Sequence, residues 1–95
     1  MNGVMKPDGT VIPLDRGEFT VGELQDMVGG FIDVERIGDG YVVHDPEASY
    51  KGRCFNPKAT SMVLEHLRDT DPENADSWDG MISGDAVICE KIKVD

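Results

Sequence analysis

Aromatic side chains are scarce in this chain: three Phe, two Tyr and one Trp make up 6% of 95 residues. The core must therefore rest on Val, Ile, Leu and Met. It can be only one core, because two within this length would each be too small to stabilise themselves. Cysteine is rarer still. Cys54 and Cys89 are too few and too isolated for a disulfide framework, and both read as buried thiols. No apolar run approaches the roughly 18 residues that span a bilayer. The opening stretch, Met1 to Asp15, has no charged segment followed by a greasy one of the secretory kind. A cytoplasmic protein without membrane contact is expected. Basic residues are also short, with nine Lys and Arg against nineteen Asp and Glu and a net charge of −10. Such a field repels DNA, RNA and anionic lipid, so direct nucleic-acid binding is not expected. It suits plain solubility, a salt-rich habitat, or mimicry of nucleic acid towards a basic partner.

The local signals predict a small single α+β domain over residues 1–95, in the order β-β-α-β-β-α-β, with a mainly antiparallel sheet and two helices packed on it. Pro7-Asp8-Gly9 separates two short apolar runs, Gly3 to Lys6 and Thr10 to Leu14, as a hairpin turn does. Glu18 to Val28 reads as the first helix. Within it Thr20 and Glu23 have the spacing of a capping box, and Gly29-Gly30 provides the stop. Phe31 to Ile37 and Tyr41 to His44 read as strands joined by Gly38-Asp39-Gly40. Asn56-Pro57 opens the second helix, with Ala59, Met62, Val63 and Leu67 on one face. Residues 69–80 are polar and acidic, carry Pro72, and read as a mobile connector in which only Trp78 has reason to dock. Ile82 to Val94 reads as one closing strand, apolar on both faces at its start and hence central.

Familiar chemistry is missing. Gly38-Asp39-Gly40 lacks the third glycine and the helix of a dinucleotide fingerprint, and there is no phosphate loop. Asp69, Asp71 and Glu73 alternate as calcium ligands do, but the sixth loop position is Asn74 and the twelfth is Gly80, where glycine and glutamate are needed. His44, His66, Cys54 and Cys89 never fall at short metal-ligand spacing. No nucleophile elbow or paired acidic motif is present. The expectation is a non-enzyme without cofactor or metal.

One window departs from the acidic background. Between Glu47 and Glu65 there is no acidic residue, and Lys51, Arg53 and Lys58 give a local charge of +3. The window ends in Asn56, Thr60 and Ser61 at a helix start, where unpaired N–H groups and the positive end of the dipole favour anions. Tyr50 and Phe55 add flat surfaces for a base to stack on. These eight residues form the expected ligand-binding set for an anionic, nucleotide-like small molecule. Against that, the cations have many carboxylates elsewhere to pair with, and Asn56 is sufficiently explained as a cap.

Gly29-Gly30-Phe31-Ile32-Asp33, Asn56-Pro57-Lys58-Ala59-Thr60 and Ile82-Ser83-Gly84-Asp85-Ala86-Val87, in that order after a Pro-Asp-Gly hairpin, resemble a family catalogued only as a domain of unknown function. Its members are common in bacteriophages and mobile elements. The resemblance covers roughly Gly3 to Cys89 and brings no active-site residues. It implies a phage-type accessory protein acting against host defence, which would sequester a nucleotide-derived immune signal. Two alternatives stand beside it: an acidic mimic that blocks a host enzyme acting on DNA or RNA, and a virion or assembly component. Two helices on one side of a sheet would leave Met5, Val11, Val43 and Cys89 in need of cover, so a homo-oligomer is also expected.

Overall fold

The computed structural model describes residues 2–78 and 80–94. The first two strands, β1 (Gly3–Met5) and β2 (Val11–Pro13), form the expected hairpin. At its tip the Gly9 N–H donates to Lys6 O, and Gly9 has a φ of 91° that suits a residue without Cβ. Helix α1 (Val21–Val28) is closed at both ends by its own sequence. The Thr20 hydroxyl accepts from Glu23 N and the Glu23 carboxylate accepts from Thr20 N, while Gly29 ends the helix in the left-handed region. A second hairpin follows, β4 (Asp33–Ile37) against β5 (Gly40–His44), turned at Gly38-Asp39. A single 3-10 turn (Ala48–Lys51) leads to α2 (Pro57–Thr70). Strand β6 (Ala86–Cys89) then takes the middle of a five-stranded antiparallel sheet of order β2-β1-β6-β5-β4, as its two apolar faces require.

Register decides what covers each face. Paired residues point the same way, and successive residues point to opposite faces. Met5, Val42, Ala86 and Ile88 pack with Ala59 and Val63 of α2. Val43, Val87 and Cys89 pack with Leu24 and Val28 of α1 on the other side. The two helices therefore sit on opposite faces, not on one. Met5 and Val43 are 0% exposed and Cys89 1%, and Val11 packs against the α2-side core. The expectation that these residues need a second copy for cover is corrected for Met5, Val43 and Cys89, which this chain buries, while Val11 is half-buried.

Three further elements differ from the sequence reading. Glu18 to Thr20 is not the first turn of α1 but a strand, β3 (Glu18–Thr20), because the cap falls at Thr20 and the residues before a cap are extended. The closing strand is not continuous. After Cys89 the chain leaves the sheet at Glu90, whose N–H donates to Gly17 O, and β7 (Lys91–Lys93) pairs in parallel with β3. Val94, the expected end of the closing strand, is 92% exposed. Finally, the acidic connector holds a helix, α3 (Pro72–Ser77). Asp71 ends α2 through its N–H to Leu67 O and starts α3 through its carboxylate, which accepts from Asn74 N. Ala75 is buried, and Trp78 packs against the α2-side core as expected. Asp79, counted among the connector carboxylates, lies outside the described residues. No helix among the described residues is long and apolar enough to cross a membrane.

Candidate functional site

The eight residues of the basic window do not converge on one pocket. Asn56 is fully buried and its side chain is committed to the fold. Its Nδ2 donates to Met5 O and Gly84 O, both at 2.9 Å, and its Oδ1 accepts from Ala59 N. Thr60 is committed in the same way: its hydroxyl donates to Asn56 O and accepts from Ile82 N. The first turn of α2 is accordingly no open anion cradle. Pro57 has no N–H, Ala59 N donates to the cap and Thr60 N to Asn56 O, which leaves Lys58 N. The sequence reading of Asn56 and Thr60 as ligand groups is corrected to a clamp, buried at Asn56 and half-buried at Thr60, that ties α2 to β1 and to the segment before β6.

Lys51 is committed too. Its Nζ lies 2.6 Å from Asp45 Oδ2 and donates to Gly29 O. Burial works to raise the Asp45 pKa. The hydrogen bonds from Lys51 and Glu47 N and the charges of Lys51 and Arg53 outweigh it, so the carboxyl is held below its ordinary value of 3.8. Gly30 matters here for a reason of space, since a Cβ on it would fall against the Lys51 ammonium and the Asp45 carboxylate. The groove beside this pair, about 510 Å³, is lined by Gln25, Asp26, Glu47 and Phe31 as well as Lys51, and its charge is negative on balance.

What remains exposed is Tyr50, Arg53, Phe55, Lys58 and Ser61. Tyr50 is 90% exposed and Phe55, bridged to Ser83, 44%. Arg53 lines a second open groove of about 510 Å³ with Cys54, Gly84, Asp85 and the hairpin residues Lys6, Asp8, Thr10 and Ile12, so two cations meet two carboxylates there. The stem of Arg53 lies against Gly84 in this groove, and its guanidinium extends towards Gly29. Lys6 is neutralised there by Asp85 at 2.6 Å, whereas Arg53 makes no salt bridge among the described residues. Cys54 is exposed, not buried as read from the sequence; Cys89 is buried, and burial pushes its thiol pKa up.

The four residues weighed for zinc are dispersed as well. Cys89 faces α1 and His44 lies on the α2 side, while His66 accepts from Gly38 N. His44 instead stands beside Asp33 and Glu35, a grouping that no short motif announces. The signal was in the hairpin register. With a two-residue turn at Gly38-Asp39, Asp33 must face His44, and Glu35 lies two residues along on the same face.

No protein-family model, curated protein or solved structure matches the chain. The resemblance to a phage-associated family therefore rests on its three sequence motifs.

Proposed function

We propose that this chain is a non-catalytic binding protein that holds an anionic small molecule in the groove between the β1–β2 hairpin and residues 52–54. One observation carries the reading: among the described residues Arg53 makes no salt bridge, and it borders a concave surface whose other cation, Lys6, is already paired with Asp85. An arginine fork matches phosphate oxygens in bidentate fashion and needs no general base to do so. Ile12 gives the groove an apolar wall, and exposed Tyr50 and Phe55 on the same chain segment offer stacking surfaces. The phage-type motifs make a nucleotide-derived immune signal the first ligand class to test and sequestration in the host cytoplasm the outcome. Calorimetry against cyclic dinucleotides and ADP-ribose derivatives tests this directly. Binding at or below about 10 µM, roughly −7 kcal/mol, supports the reading, and its absence across the panel removes it.

A second reading has its own support. Glu65 and Asp69 of α2 and Glu73 and Asp76 of α3 are all exposed, so two successive helices display carboxylates in a chain of charge −10. Such a surface suits a basic host protein that acts on DNA or RNA. A virion or assembly role has no structural observation of its own.

A further inference from the structure

His44 ends β5 on the face that carries Val42, and its side chain is 8% exposed. Neither ring nitrogen has a hydrogen-bond partner among the described residues. A buried imidazole always has at least one N–H, and leaving both nitrogens unmatched costs free energy that folded chains seldom tolerate. Glu35 Oε1 lies 3.8 Å from Nε2, which is too long for a hydrogen bond. Asp33 is the direct cross-strand partner of His44, and one ligand atom from each of Asp33, Glu35 and His44 lies within 4.8 Å of the other two. One Asp33 oxygen accepts from Val34 N, so the other is free to turn inward.

Those spacings suit a shared ion. Two ligands bonded at about 2.0–2.1 Å to one tetrahedral centre lie roughly 3.3 Å apart, close to the 3.8 Å between His44 and Glu35. We infer that Asp33, Glu35 and His44 form a binding site for one first-row divalent cation, with zinc as the representative. The imidazole decides the class, since calcium and magnesium take oxygen ligands while zinc, cobalt and manganese accept nitrogen with carboxylate. The ion would complete the coordination of a buried nitrogen, neutralise two carboxylates and clamp the edge hairpin across its open end. Asp33 is exposed, so a fourth position is left to water on the solvent side.

The site is independent of the Arg53 groove, and its test is independent too. Zinc chloride is titrated calorimetrically into the full chain, in parallel with an Asp33→Asn, Glu35→Gln double variant and with His44→Gln. The wild-type chain is expected to bind one equivalent with a Kd at or below about 10 µM. Each variant should weaken that by at least about tenfold. Cobalt should give a visible ligand-field spectrum in the wild-type chain that both variants lose. If His44→Gln does not fold, the double variant still decides, because its changes are near-isosteric and lie on the edge strand, at exposed Asp33 and half-buried Glu35. The inference is overturned if no saturable one-to-one binding occurs, or if the double variant keeps wild-type affinity. Displacement of zinc by equimolar calcium would overturn it as well, since the carboxylates alone would then hold the ion.

Discussion

Asn56 shows how one polar side chain can hold three parts of a chain together. Its carboxamide satisfies Met5 O, Gly84 O and Ala59 N in a site closed to water. Asn56→Ala would orphan all three groups, and unfolding by urea should show a loss of about 2–4 kcal/mol. The capping half of this role was legible, because Asn before Pro is a start signal. The other half joins residues 51 and 28 positions apart, and nothing local announces it. Asp45 makes a second test at this scale. Its folded pKa lies below 3.8, so its charged form is the stabilised one. That stability is present above the ordinary value and is lost as pH falls through the lower folded value. Urea midpoints of the wild-type chain should therefore drop on acidification below about pH 4, and Asp45→Asn should flatten that part of the curve.

At the scale of elements, α1 and α2 lie on opposite faces of one sheet, and each face has its own core. Leu24 is the fully buried anchor of α1. Leu24→Ala should cost about 2–5 kcal/mol, read from chemical denaturation. Elements with local punctuation were legible: both hairpin turns, the Thr20–Glu23 box and the Asn56-Pro57 start. Those fixed by distant partners were not. Strand β3 exists because Phe19 meets Ile92 across a parallel pairing with the distant β7, and three-residue strands carry too little pattern to betray that. Helix α3 has six residues with a single buried apolar one, Ala75, and is capped by Asp71, so hydrophobic period had nothing to detect. Of the expected ligand set, residue type alone could not separate Lys51, paired with Asp45, from Arg53, which makes no salt bridge among the described residues.

For the whole molecule, both sheet faces are covered from within the chain, which removes the need for a second copy to bury Met5, Val43 and Cys89. Light scattering at micromolar concentration should give a mass near the 10.4 kDa chain. Exposed carboxylates line α2 and α3, while at the hairpin groove Lys6 and Arg53 stand among Asp8 and Asp85. Charge substitutions on the two regions separate a ligand binder from a nucleic-acid mimic. The most direct measurement is calorimetry of the nucleotide panel on three proteins side by side: wild type, Arg53→Glu, and the triple variant Asp69→Asn, Asp71→Asn, Asp76→Asn. For an anion-binding groove, Arg53→Glu should weaken binding by at least about tenfold, or 1.4 kcal/mol, while the triple variant binds as wild type. Unchanged binding by Arg53→Glu, or loss of binding by the triple variant, would contradict it.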